Sequence, residues 1–179
     1  SDLRSAVTRL GTATLRDLVL ASEVFSGNLK HADVAMMQRR ALIASRLASK
    51  MLPNTSAEMG ATAALLADVG LLLPGMHNER AEDAPSVTER RPGHTQAGAY
   101  LLGLWGLPMP IIEAVAFQLS PGRSSTRSFW VPGAVHAATG LVHGSALDED
   151  YLQRVQVLSK LPQWQQMAAE MLALDNENS

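Results

Sequence analysis

The sequence predicts an all-α protein that folds as one helical domain of about eight helices over residues 1–179. Strong helix formers dominate the composition, and no segment alternates β-branched with polar residues as a half-buried strand would. Apolar residues instead recur at helical spacing in successive segments of the chain. The connections between these segments are mostly short, which favours packing of consecutive helices as antiparallel neighbours.

The helix boundaries follow from this periodicity and from residues that begin or end helices. Pro53 ends one helix, and Thr55 with Glu58 has the spacing of a capping box that starts the next. That next helix contains Asp68 and is apolar on nearly all sides, so it is predicted to be central. The predicted elements are an amphipathic turn at 3–10, a helix that carries Leu15 to Phe25, a helix from Thr55 through Asp68, and helices over about 31–51, 94–105, 109–119, 130–144, 148–159 and 162–174.

Residues 74–92, PGMHNERAEDAPSVTERRP, interrupt the helical pattern. They combine charges and prolines with no apolar periodicity, which predicts an exposed, mobile loop between helices. We expect residues 76–91 to be dispensable for folding.

Composition and charge exclude several classes of protein. The chain has a net charge of −2 and shows no basic excess of the kind that binds nucleic acid. It has no cysteine, so a disulfide scaffold and thiolate chemistry are excluded. It has neither a signal peptide nor a run of about 18 apolar residues. We therefore expect a soluble cytoplasmic protein that binds neither nucleic acid nor a membrane.

One segment resembles the signature of a known family. Residues 89–121, ERRPGHTQAGAYLLGLWGLPMPIIEAVAFQLSP, resemble the HDOD family, a set of regulatory domains related to the HD-type metal phosphohydrolases. Gln118 and Leu119 stand where the family often has a pair of histidines. The resemblance implies an HD-like helical fold. The residues that match the family motif are His94, Gly98, Trp105, Gly106, Leu107 and Pro108.

The position of a second matching segment bears on the length of the protein. The opening AVTRLGTATLRDLVLASEVF resembles a family segment that several helices normally precede, and this chain begins almost on it. We therefore expect a domain without its first helices, from the C-terminal part of a longer bacterial signalling protein.

The resemblance also implies where a metal site would have been. HD hydrolases use histidine and carboxylate ligands from separate helices, because a divalent metal must polarise a phosphoryl oxygen and activate a water. The matching positions here hold Arg40, Ala67, Asp68 and Thr139, with Gln118 at the histidine-pair position. Asp68 is the only strong ligand among them. We expect a degenerate site with no metal, no cofactor and no catalytic residues.

The histidines are interpreted mainly as structural. His94 is predicted to hydrogen-bond the loop before its helix, and His136 to be a satisfied histidine of the core. His31, His77 and His143 lie in predicted loops or at helix ends and are interpreted as solvated.

Trp105 is interpreted as a structural residue and the loop arginines as solvated surface charges. Trp105 is expected to pack in the core and not to line a ligand pocket. The charges at 89–91 and at Arg123 and Arg127 are interpreted as solvated, with an anion site as the alternative.

Two functions from different classes fit these observations. The first is a non-catalytic signal-transduction domain, as in response regulators, that acts through contacts with a partner protein, an upstream domain of the same chain or a second copy of itself. The alternative is a residual metal-dependent phosphohydrolase or cyclic-dinucleotide phosphodiesterase. Metal content distinguishes the two.

Asp68 needs a partner if it is buried, because an unpaired buried carboxylate is very costly. Arg40, or Arg39 if the register is off by one, is predicted to pair with Asp68 and to replace the metal's charge. The alternative is that Asp68 bonds to backbone N–H groups or to hydroxyls such as that of Thr139.

Overall fold

The computed structural model describes residues 31–76, 78–80 and 93–177, and these ranges contain seven α-helices and no β-strand. The predicted all-α fold is confirmed. The elements predicted before residue 31, His77 and residues 81–92 lie outside the described residues. The helices are α1 His31–Met51, α2 Asn54–Leu65, α3 His94–Leu104, α4 Met109–Ala116, α5 Val131–His143, α6 Glu149–Arg154 and α7 Leu161–Glu177, with short 3-10 helices at Val69–Leu72, Pro121–Arg123 and Leu158–Lys160.

α5 is the central helix. Nearly all of its residues are buried, and it packs against α1, α2, α4 and α7. Its sequence, VPGAVHAATGLVH, is rich in glycine and alanine, and small residues let neighbouring helices approach from several sides. The helix predicted to be central, which starts near Thr55, also packs against three helices, α1, α4 and α5, but it leaves Leu65 exposed.

Asp68 does not lie within an α-helix. α2 starts at Asn54, one residue before the predicted Thr55, and it ends at Leu65. Asp68 is the residue that precedes the 3-10 helix Val69–Leu72. The predicted continuous helix is wrong because the chain tightens here into i→i−3 hydrogen bonds, from Ala67 N–H to the Ala64 carbonyl and from Val69 N–H to the Leu66 carbonyl.

The 3-10 helix packs backbone to backbone against α3 at a pair of glycines. A Cβ on Gly70 would overlap the carbonyl oxygen of His94 and lie 2.8 Å from the backbone nitrogen of Gly98. A Cβ on Gly98 would in turn lie 3.1 Å from the backbone nitrogen of Gly70. This approach fixes the turn that carries Asp68 against the first turn of α3, which carries His94.

The segment WGLP forms the turn between α3 and α4. Trp105 follows α3 and packs against the edge of the core, and Gly106 has a φ of 71°, in the left-handed region that favours glycine. Leu107 is buried, and Pro108 precedes the first residue of α4. The motif thus has a structural function, in agreement with the interpretation of Trp105 as a packing residue.

α1 and α7 lie side by side and are joined by an ion pair. Arg39 Nε lies 3.0 Å from Asp175 Oδ2, and both side chains are more than a third exposed. α1 has 21 residues, but neither it nor any other described helix is both long and apolar enough to cross a membrane.

The described part of the predicted loop 74–92 is not uniformly exposed. Pro74, Gly75, Asn78 and Glu79 are exposed as residues, but only 6% of the Arg80 side chain is accessible. Arg80 departs from the predicted solvated loop because its guanidinium reaches back into the core.

Candidate functional site

An ion pair between Asp68 and Arg80 lies at the centre of the candidate site. Arg80 Nη1 donates a hydrogen bond to Asp68 Oδ1, and both side chains are less than a tenth exposed. Nη2 of the same guanidinium donates to Gln118 Oε1. Arg80 therefore joins two buried polar groups that belong to different parts of the fold.

His143 provides a donor for the second oxygen of Asp68. It is the last residue of α5, and its Nε2 lies 3.0 Å from Asp68 Oδ2. Gly144, with a φ of 68°, ends the helix directly after it. The prediction that His143 is solvated is wrong, since only 14% of its side chain is exposed and it contacts the buried carboxylate.

His94 is completely buried, and both of its ring nitrogens face polar groups of the site. Its Nδ1 lies 3.2 Å from the backbone nitrogen of Glu79 and 3.3 Å from Glu79 Oε2. Its Nε2 lies 3.3 Å from Arg80 Nη1 and 3.6 Å from Asp68 Oδ1. The ring of His94 therefore lies between Glu79 and the Asp68–Arg80 ion pair.

Gln118 connects the ion pair to the rest of the core. Its side-chain nitrogen donates to the Ala67 carbonyl at 2.6 Å, so its oxygen is the atom that faces Arg80. Its backbone carbonyl accepts from His136 Nδ1 at 2.7 Å. His136 Nε2 in turn accepts the backbone N–H of Asp148 at 2.9 Å. His136 is therefore a buried histidine with both nitrogens bonded, as predicted, and burial lowers its pKa.

Glu79, the neighbour of Arg80, caps the start of α3. Its Oε2 accepts hydrogen bonds from the backbone N–H and the hydroxyl of Thr95, at 2.9 and 2.7 Å. A carboxylate at this position accepts a hydrogen bond from an otherwise free N–H of the first turn. Its negative charge also interacts favourably with the positive end of the helix dipole. A Cβ on Gly93 would overlap the Glu79 carboxylate, so any larger residue there would displace the Glu79 side chain.

The protonation of Asp68 reflects these contacts. Burial alone would raise the pKa of its carboxyl. The hydrogen bonds from His143 and His94, together with the positive charge of Arg80, outweigh burial and hold the pKa far below its ordinary value. Asp68 is therefore a carboxylate throughout the physiological range.

This low pKa predicts a specific loss of stability in acid. Because Asp68 has a lower pKa folded than unfolded, the unfolded chain binds more protons in acid. Its contribution is full above about pH 5 and decreases as the pH falls through and below the ordinary value of about 3.9. We expect the free energy of unfolding to decrease less between pH 5 and 3 in Asp68→Asn than in the unsubstituted protein. Urea titrations at each pH measure this, and parallel curves would contradict it.

The predicted site residues separate into two groups. Ala67, Asp68 and Gln118 lie together, with Ala67 contributing only its carbonyl. Arg40 is not the partner of Asp68, because Arg80 holds that position. The remaining two bond elsewhere: Arg39 pairs with Asp175, and the Thr139 hydroxyl donates to the Val135 carbonyl within its own helix.

Three residues of the site were not predicted, namely Glu79, Arg80 and His143. His143 follows Thr139 by four residues and thus lies on the same face of α5, so a search one turn further along would have found it. Glu79 and Arg80 lie in a segment without apolar periodicity, so the sequence does not indicate their role. Their contacts with Thr95 and Asp68 in the structure reveal it.

These residues do not fit a divalent metal. Both oxygens of Asp68 already lie against protein donors, and His94 Nε2, which faces Asp68, lies 3.3 Å from Arg80 Nη1. The Arg80 guanidinium adds a fixed positive charge that repels a cation. Among the described residues, no three histidine or carboxylate side chains are arranged to hold a metal ion.

Comparison with known proteins identifies one family model. A model described as the HDOD domain matches residues 1–121 of the chain. The match includes Asp68, Arg80 and Gln118, whereas His136 and His143 follow it. No curated protein and no solved structure is significantly similar to the chain.

Proposed function

We propose that this chain, which belongs to the HDOD domain family, is a non-catalytic regulatory domain that acts through contacts with other protein surfaces. The observation that carries the proposal is the Arg80 guanidinium between Asp68 and Gln118. In an HD-type hydrolase the corresponding carboxylate would bind a metal. Here an internal cation satisfies it.

The hydrogen-bond inventory of Asp68 supports the absence of catalysis. A carboxylate that ligates a metal must offer oxygen lone pairs to it. Arg80 and His143 each contact one of the Asp68 oxygens, and His94 Nε2 lies 3.6 Å from Oδ1. Metal binding would require displacement of an ion pair whose two side chains are less than a tenth exposed. Breaking such a pair typically costs about 3–5 kcal/mol.

Exposed apolar side chains, two of them four residues apart on α3, support a function in protein contacts. Tyr100 and Leu104 lie four residues apart on α3, and Met109 begins α4. Each of these side chains is at least two-thirds exposed. Large apolar side chains grouped on a surface are typical of protein interaction sites. We propose that the contacts are made with an upstream signalling domain of the same protein, as in a response regulator, or with a separate signalling protein.

Metal content and hydrolysis together test the proposal. We expect the purified protein to contain far less than one equivalent of iron, manganese or zinc by elemental analysis. We also expect no hydrolysis of bis(p-nitrophenyl) phosphate or p-nitrophenyl phosphate when Mn²⁺ or Fe²⁺ is added, because the ligand lone pairs are already engaged.

A matched variant controls for contaminating phosphatase. Asp68→Asn removes the only strong ligand among the residues that match the family's metal positions. Activity that requires added metal and disappears in Asp68→Asn would contradict the proposal and support a residual phosphohydrolase. Activity that persists unchanged in the variant belongs to a contaminant.

A further inference from the structure

A cavity of about 710 Å³ lies between the segment that follows α4 and helix α6, and it includes none of the residues around Asp68. Its volume is within the range of about 300–1,000 Å³ that is typical of sites for small organic molecules. The lining residues with polar side chains are Ser124, Ser125, Thr126, Arg127, Tyr151 and Arg154.

Two arginines, Arg127 and Arg154, line the cavity, and no acidic residue is among its lining residues. Within the described part of the chain, no carboxylate oxygen lies within 4.0 Å of either guanidinium. The carboxylates of Glu113 and Asp148 border the cavity, where they accept the backbone N–H groups of Ser125 and Tyr151 and leave the guanidinium groups without an ion pair among the described residues.

The remaining polar groups of the cavity are hydroxyls. Ser124 and Thr126 hydrogen-bond each other through their side-chain oxygens at 2.8 Å, which places two hydroxyls together.

We propose that this cavity binds a phosphorylated small molecule, with the phosphate held by Arg127 and Arg154. Guanidinium groups recognise phosphate through paired, charge-assisted hydrogen bonds, and hydroxyls supply further donors. Glycine at 122 allows the Arg154 guanidinium to lie over the backbone, since a Cβ there would come within 2.8 Å of Arg154 Nη2. The volume exceeds the needs of phosphate alone, so the ligand carries an organic group as well.

Calorimetric titration of the intact protein at low ionic strength tests the proposal with AMP, adenosine and inorganic phosphate as probes. We expect AMP to bind more tightly than inorganic phosphate, and adenosine not to bind. The double variant Arg127→Gln/Arg154→Gln is expected to weaken AMP binding about tenfold or more, because each guanidinium–phosphate contact is a charge-assisted hydrogen bond. Both arginines are exposed, so the variant should keep its fold, as circular dichroism can verify.

Arg123→Gln is the matched control. Arg123 is also exposed and cationic, but it lies over the ring of Phe117, 5.8 Å from its centroid, and does not line the cavity. We expect this variant to retain AMP binding. Failure of AMP and phosphate to bind, or equal weakening by Arg123→Gln and by the cavity variant, would overturn the proposal. Equal affinity for AMP and phosphate would contradict the inference that the ligand carries an organic group. None of these outcomes depends on the metal test of the Asp68 site.

Discussion

Replacing Asp68 with leucine is expected to destabilise the folded protein by about 3–5 kcal/mol, because it leaves the buried Arg80 guanidinium without its counter-charge. Arg80→Met should be milder, at about 2–3 kcal/mol, since Asp68 keeps donors from His143 and His94. The double variant should be destabilised by less than the sum of the two single changes. We expect a coupling of at least about 1.5 kcal/mol from urea unfolding of the four proteins.

Arg39→Met is the matched control for this cycle. Arg39 also pairs with an aspartate, Asp175, but 43% and 36% of the two side chains are exposed. Exposed ion pairs typically contribute about 0–1 kcal/mol, so this substitution should have a small effect. Additive effects at Asp68 and Arg80, each as small as that of Arg39→Met, would show that the buried pair does not hold the site together.

Gly70→Ala is expected to destabilise the protein by about 3 kcal/mol, although it adds one methyl group. The new Cβ would overlap the His94 carbonyl oxygen and approach the Gly98 nitrogen. Both are backbone atoms of α3, so neither can move without displacing the helix. Because the same contact places His94 beside Asp68, we also expect a changed environment of the His94 ring, which NMR of the imidazole would detect.

Gly103→Ala is the control for this prediction, because it tests whether a methyl group added elsewhere in this region also destabilises the protein. Gly103 lies in α3, and its added Cβ would meet only Ile112 Cδ1, at an ordinary distance of 3.9 Å. Alanine is favoured over glycine inside a helix by about 0.5–1 kcal/mol, so this variant should be more stable than the original. A Gly70→Ala variant as stable as Gly103→Ala would refute the proposed close packing.

The helices could be predicted from the sequence because their signals are local. α1 begins and ends as predicted, since its apolar periodicity lies within the segment itself and Pro53 follows two residues after its end. The requirement that Asp68 have a cationic partner could also be predicted, because it follows from the cost of burying a carboxylate. The identity of that partner could not be predicted, because the resemblance to the family pointed to Arg40.

The predictions for the site residues failed where the structure depends on contacts between separate segments of the chain. Arg80 follows Asp68 by twelve residues in a segment with no periodicity, so nothing local indicates that its side chain turns inward. α2 ends before Asp68, and Gly70 closely approaches Gly98, a contact that an apolar run by itself cannot reveal. The cavity likewise combines Arg127 and Arg154, two residues from separate elements that the sequence shows only as dispersed charges.

The arginine at Asp68 differs from a metal ion in one further respect, because it is covalently attached to the chain. A diffusible ion occupies its site according to its concentration, and a chelator removes it. The counter-ion here is present at a fixed effective concentration. The ion pair of Asp68 with Arg80 therefore forms without any diffusible ion. Because Glu79 caps α3, a movement of residues 78–80 that withdrew Arg80 would release the start of that helix at the same time.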